Sequence, residues 1–236
     1  MGNNYFRFKQ FTIHQEKAAM KVGIDGVLLG SWAKVNNCRL VLDVGTGTGL
    51  IALMLAQQSS AKIMAIDVEG NAVIQAQQNV QASPWAEQIQ VRKISFQELI
   101  NDDELKFDLL VSNPPFFQHS LKAGTKERTL ARHTDSLPYS VLIEGASRML
   151  SENGRCAFIF PKQAEKEIEH LAEKNNLFLQ RKTWVQPKHN KTVNRVLFEF
   201  GRNKANVISE TLVIYENDGT WTTAFKALTS RYYLKA

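Results

Sequence analysis

The sequence predicts an α/β fold on a mostly parallel sheet. Three observations carry that expectation: strand-like apolar runs alternate with helix-forming segments, the first such run ends in a glycine-rich turn, and no repeat or linker tract interrupts the 236 residues. Leu40–Val44 is a short apolar run closed by glycines, and Leu50–Ala56 after it is helix-forming. The unit recurs as a strand over Lys62–Asp67 and a helix over Ala72–Gln81. Further strands are expected at Ile89–Arg92, Phe107–Ser112 and Arg155–Phe160, with helices at Ser140–Leu150 and Gln163–Asn175. Such alternation places parallel strands under helices on both faces. Towards the end, Thr183–Val185, Arg195–Phe200 and Thr211–Tyr215 read as strands with no helix between the first two, which predicts an antiparallel hairpin at the sheet edge.

Residues 1–36 read as a small N-terminal cap on a core spanning 37–236, the whole forming one domain. In the cap, Phe6–Ile13 alternates apolar and polar residues as one short strand does, and Asp25 is placed to cap a helix over Gly26–Ala33. The N-terminus lacks the apolar core of a secretory signal and no later stretch is long enough to span a membrane, so a soluble, cytoplasmic protein is expected. Cys38 and Cys156 have no second thiol or histidine at ligand spacing, which argues against a disulfide framework or a metal site. A net charge of +6 is compatible with a polyanionic partner, and the denser basic stretch lies between Lys122 and Arg132.

Parallel sheets bind ligands beyond the carboxyl ends of their strands, where Asp43-Val44-Gly45-Thr46-Gly47-Thr48-Gly49 falls. A dinucleotide fingerprint needs its third glycine one residue later than Gly49, and Leu50 occupies that place. The D-x-G-x-G-x-G arrangement instead resembles motif I of class I methyltransferases. That resemblance implies a Rossmann-like fold and S-adenosylmethionine as cofactor, with Asp43, Gly45, Thr46, Gly47 and Gly49 around it. Asp67 closes the second strand where an acid can accept hydrogen bonds from two ribose hydroxyls, and Val68 follows it. Ser95 and Phe96 follow the third strand, where related enzymes contact adenine; Phe96 reads equally well as core.

The fourth strand leads directly into Asn113-Pro114-Pro115-Phe116. The prolines restrict the backbone and remove amide donors, leaving carbonyls that only accept. This suits an exocyclic amine, whose lone pair is delocalised into a π system. Acceptance of one N–H by the Asn113 side chain and of the other by the Pro114 carbonyl moves the nitrogen towards tetrahedral geometry and aims its lone pair at the methyl group. Asn113 also borders the cofactor, and Phe116 offers a face for stacking. The motif resembles those of adenine-N6 methyltransferases, guanine-N2 ribosomal RNA methyltransferases and glutamine-N5 methyltransferases of release factors, all of which act on a planar NH2. A non-catalytic RNA-binding module that keeps a cofactor pocket is the alternative from another class.

Outside these motifs, Phe6-Arg7-Phe8-Lys9-Gln10-Phe11 and the run from Ala19 to Gly30 closely resemble the N-terminal signature of the bacterial tRNA1(Val) (adenine(37)-N6)-methyltransferase family. The likeness continues through Asn79–Glu87, Arg195–Phe198 and Leu228–Leu234, nearly the whole chain. It implies methylation of an adenosine next to the anticodon, a base that is already unpaired. It also implies that Lys21 and Gly23 lie near the cofactor's methionine end. Two departures stand out: Ile24 where the family often has Thr, and Ser95 where it often has an acid. Lys122, Lys126, Arg128 and Arg132 are candidates for gripping loop phosphates, and Lys188, Lys191 and Arg195 form a second group. None of the five histidines is needed for catalysis.

Overall fold

The structure, a computed structural model, describes residues 3–17, 21–115 and 137–234. It begins with an antiparallel pair, β1 (Tyr5–Arg7) and β2 (Thr12–His14), followed by α1 (Ile24–Trp32). This corrects the single strand expected over Phe6–Ile13. The buried or half-buried apolar positions are Phe6, Phe8, Phe11 and Ile13, so the two-residue period slips between Phe8 and Phe11. The chain reverses at that slip, where the Phe8 amide donates to the Phe11 carbonyl at 2.8 Å. The expected N-cap is corrected too: α1 begins at Ile24 with Gly23 as its cap, and Asp25 lies in the first turn. Its carboxylate accepts from Arg195 Nε at 2.9 Å, a charge-assisted bond that replaces the local cap.

The remaining elements alternate as the apolar pattern requires. They are β3 (Leu40–Val44), α2 (Leu50–Ala56), β4 (Lys62–Asp67), α3 (Gly70–Gln81), β5 (Ile89–Lys93), α4 (Phe96–Leu99), β6 (Phe107–Ser112), α5 (Tyr139–Met149), β7 (Leu150–Pro161), α6 (Glu165–Lys174), β8 (Phe178–Lys188), β9 (Arg195–Gly201), β10 (Ile208–Tyr215) and α7 (Thr223–Thr229). They build an eight-stranded sheet in the order β10-β8-β9-β7-β6-β3-β4-β5. β9 runs antiparallel to β7 and β8, while the other neighbours are parallel. The expected hairpin is β8–β9, and β10 adds parallel to β8 on its outer side. Several strands start earlier than their apolar runs, as β7 does at Leu150, which pairs with Phe107 before the register shifts to Leu109 and Arg155.

Strand side chains alternate between two cores. Val41, Leu109 and Val111 join α1, α2 and the N-terminal hairpin on one face, whereas Leu42, Leu110 and Phe158 meet Phe96, Leu142 and Ile168 on the other. Phe8, Phe11 and Ile13 belong to the first of these cores together with Tyr232, and the Lys9 amide donates to the Tyr232 carbonyl at 2.8 Å. Cys156 is buried in the second core, where burial pushes its thiol pKa up; Cys38 and Cys156 are both free thiols. Among the described residues no helix is long and apolar enough to cross a membrane.

The second core has a tight contact at Gly145 of α5. A Cβ there meets the Phe96 ring at 2.5 Å and Ile100 Cγ2 at 2.8 Å. Alanine normally stabilises a helix by about 1 kcal/mol over glycine. Here Gly145→Ala is expected to destabilise by about 1–3 kcal/mol through overpacking. Urea unfolding checks the sign, and a Phe96→Leu change added to Gly145→Ala should recover part of the loss.

Candidate active site

The carboxyl ends of β3, β4 and β6 lie side by side, because Val44 pairs with both Ile66 and Ser112. The glycine turn leaves β3 at this edge. Gly45 and Gly47 adopt φ of 72° and 55°, a left-handed backbone that side chains disfavour, and a Cβ on either would meet nothing within 4 Å. Their backbone therefore faces open space that a ligand can approach. The turn is held from beneath: the Gly45 and Thr46 amides both donate to the Ile66 carbonyl at 2.9 Å, and the Gly47 amide donates to Asp67 Oδ2 at 2.8 Å.

Asp43 is completely buried under this turn. Its Oδ2 accepts from Thr46 Oγ1 at 2.7 Å and from the Ala52 amide at 3.2 Å, so one oxygen binds the strand end to both the turn and the first turn of α2. Oδ1 is buried without a partner. Burial drives the carboxyl pKa up to about 7 against the lowering effect of the Thr46 and Ala52 bonds, with the nearby Asp67 charge adding to the rise.

Around the turn, Asp67 is half-buried and its Oδ1 accepts from the Glu69 amide at 3.0 Å, which fixes the carboxylate at the strand end. Val68 is 52% exposed, an apolar side chain left uncovered at the rim. Ser95 caps α4: its hydroxyl accepts from the Glu98 amide at 3.1 Å while the Glu98 carboxylate takes the Ser95 amide at 2.9 Å. Phe96 is 3% exposed and packs on Gly145, so its ring is part of the second core.

β6 delivers the second motif beside the turn, and Ser112 Oγ donates to the Val44 carbonyl at 2.8 Å, tying the two strand ends together. Asn113 follows, half-buried, with its Oδ1 buried and without a partner. Pro114 is buried. The first turn of α1 packs against this point: a Cβ on Gly26 would stand 3.0 Å from Leu50 Cδ2 and 4.0 Å from Asn113 Nδ2. Lys21 and Gly23, both exposed, lead into that helix. Phe116, Lys122, Lys126, Arg128 and Arg132 lie outside the described residues.

The second basic group is brought to the same edge of the sheet. Arg195 pairs in register with Pro161 at the carboxyl end of β7, Lys188 ends β8, and Lys191 lies in the connection from β8 to β9. Arg195 is already engaged, by Asp25 and through Nη1 to the Asn194 carbonyl at 3.0 Å.

Sequence reasoning missed a buried amide under the site. Asn79 of α3 donates to the Thr48 carbonyl and to the His14 carbonyl, both at 2.9 Å, and accepts from the His14 amide at 2.9 Å. Gln75, one turn earlier, accepts from the Lys17 amide at 3.0 Å. Every partner is a main-chain group distant in sequence, so no local motif announces them.

This arrangement matches known proteins at three levels. The model of the methyltransferase small domain matches residues 26–182. Among solved structures, a predicted O-methyltransferase from Agrobacterium tumefaciens superposes with a TM-score of 0.68 at 16% identity, covering 88% of this chain and 96% of that one. A T. thermophilus 16S rRNA N2 G1207 methyltransferase, in complex with AdoMet and guanosine, superposes with a TM-score of 0.56 at 18% identity, covering 84% of this chain and 50% of that one. At these identities the superpositions speak for the fold, which with the matched model makes the chain a Rossmann-like, S-adenosylmethionine-dependent methyltransferase. Its full-length relatives are more specific. The tRNA1(Val) (adenine(37)-N6)-methyltransferase of Trichodesmium erythraeum is 44% identical over 100% of both chains, that of Parabacteroides distasonis 42% over 100% of both, and that of Haemophilus influenzae 42% over 98% of both. The chain belongs to this family.

Asp43 gives the site a pH signature. Its folded pKa lies above its unfolded value, so the folded protein retains a proton that the unfolded chain releases from about pH 4 upwards. Its contribution to stability is complete below that point and is lost as pH rises to about 7, with a slope of up to about 1.4 kcal/mol per pH unit. Asp43→Asn removes the ionisable group, so the variant should gain on the unsubstituted protein across that window. Urea denaturation at stepped pH measures the difference, and parallel curves would show that Asp43 does not titrate there.

Proposed function

We propose that the protein transfers the methyl group of S-adenosylmethionine to the exocyclic N6 of an adenosine in RNA, adenosine 37 beside the anticodon of tRNA1(Val), in the cytoplasm. The observation that carries the amine chemistry is Asn113 Oδ1, a buried acceptor without a partner at the end of β6, next to the glycine turn. A buried acceptor left unmatched is costly, and an incoming N–H satisfies it.

The residues present fit the cofactor. The uncovered backbone of Gly45 and Gly47 admits close approach, with Thr46 and Gly49 holding the turn's shape, and Asp67 is placed for the ribose hydroxyls. Exposed Val68 and the Ser95–Phe96 backbone border the adenine end; Lys21, Gly23 and Asn113 border the methionine end. Asp43 acts through the turn it braces. When bound, S-adenosylmethionine supplies an electrophilic methyl group on a sulfonium.

Asn113 Oδ1 and the Pro114 carbonyl each accept one N–H of the target amine, drawing its lone pair out of conjugation. Held in this way, the amine would be aimed at the methyl group that the bound cofactor would supply. The amine's extra proton then leaves to water, so no strong base is needed. Phe116 stacks on the base. Lys188, Lys191 and Arg195, with Lys122, Lys126, Arg128 and Arg132, contact RNA phosphates.

Purified protein given labelled cofactor and unmodified tRNA should yield N6-methyladenosine on nucleoside mass spectrometry. Label on guanine or only in protein would sink this reading. Asn113→Ala should keep cofactor binding and lose at least about a hundredfold in turnover, as expected for a contact made chiefly in the transition state. Calorimetry and single-turnover kinetics separate the two effects.

A further inference from the structure

The β1–β2 hairpin has an outer face that the site as described does not use. Its inner face, Phe8, Phe11 and Ile13, is buried in the first core. The outer face presents Tyr5, Arg7 and His14, all exposed, and Tyr5 is 53% exposed, one of the few large apolar side chains left uncovered. Tyr5 and His14 pair directly across the ladder with ring centroids 6.3 Å apart. Exposed Lys9, Lys17 and Lys21 add to Arg7, against Glu16 as the only acid in residues 1–23. Aromatic rings interleaved with cations are the composition of a surface that follows a nucleic-acid strand, with rings for bases and cations for phosphates.

The hairpin's position is fixed relative to the site. Asn79 holds both main-chain groups of His14 and, with the same amide nitrogen, the Thr48 carbonyl of the glycine turn. From there the chain climbs α3 by one turn, from Asn79 to Gln75, where the Lys17 amide is bonded. That direction leads towards the start of α3 and the Asp67 end of β4. The hairpin is thus tied through Asn79 to the glycine turn, which lies beside the strand end that carries Asn113.

We propose that this outer face, with Tyr5, Arg7 and His14 followed by Lys17, is an RNA-binding surface that receives the substrate strand flanking the target adenosine. The proposal rests on the reading of the protein as an RNA methyltransferase. Tyr5 stacks on an unpaired base, and Arg7 and Lys17 meet phosphates.

The test uses the full-length protein, a synthetic unmodified anticodon stem-loop RNA followed by fluorescence anisotropy, and S-adenosylmethionine followed by calorimetry. Tyr5→Ala should weaken RNA binding about tenfold, and Tyr5→Phe should restore it, because loss of a base–aromatic stack has that size. Arg7→Ala should reduce the slope of log affinity against log salt by about 1, one phosphate contact. Cofactor affinity should stay unchanged in all three variants. If Tyr5→Ala also lowers the thermal midpoint, the salt slope of Arg7→Ala decides the matter alone. RNA affinity within twofold of the unsubstituted protein and an unchanged slope would overturn the inference while leaving the methyltransferase reading intact. An unsubstituted protein that binds cofactor but no RNA would overturn both.

Discussion

The buried carboxyl of Asp43 is the interaction on which the site's geometry depends. A group that prefers water is kept wholly inside, at a cost that its raised pKa records. In return, one oxygen holds the last turn of strand, the glycine loop and the first turn of helix in a single arrangement. Without such an anchor, three glycines in five residues would leave a loop with many accessible conformations. The Ile66 carbonyl and Asp67 supply the remaining restraints from the next strand. The turn is therefore preorganised before any ligand arrives, and its ordering entropy is met by folding.

Topology does the rest. Because β3 lies between β4 and β6, the end of the cofactor turn, the acid at the end of β4 and the asparagine after β6 meet at one edge without any long loop to position them. The Ser112 hydroxyl on the Val44 carbonyl fixes the separation of the two motif-bearing strands. A second tie runs across the outside: Asp25 of α1 to Arg195 of β9, closing the edge over the Asn113 side. Asp43 and Asp67 thus lie at strand ends and Asn113 directly follows one, which suits chemistry that depends on aiming one lone pair.

Most of the parallel core was legible in the sequence because its strands are short apolar runs with turns at both ends, and Leu40–Val44, Lys62–Asp67 and Phe107–Ser112 occur where that pattern places them. The misread elements have a distant partner or too little local pattern. Asp25 looks like a cap until Arg195, far along the chain, claims its carboxylate. The hairpin looked like one strand because a phase slip of a single residue between Phe8 and Phe11 is easily lost among four apolar side chains. Helix α4 is too short to show a period, although Ser95 and Glu98 carry the spacing of a capping box. Of the site, the glycine turn, Asp67 and Asn113 announce themselves by spacing. Asn79 does not, since all three of its partners are backbone atoms that only the folded chain brings near.

The charge distribution separates two tasks that would otherwise conflict. On the proposed reading, the cofactor carries positive charge on its sulfonium and ammonium, while the RNA is a polyanion whose target base must come close to the methyl group. Of the acids at the centre, Asp43 is fully buried and retains its proton up to about pH 7, and the half-buried Asp67 is tied down by the Gly47 and Glu69 amides. The cations are Lys188 and Lys191, at the end of β8 and just after it, and Arg7 and Lys17 in the N-terminal segment. On that reading the cations draw the phosphates in, and the neutral acceptors of Asn113 and Pro114 meet an uncharged amine.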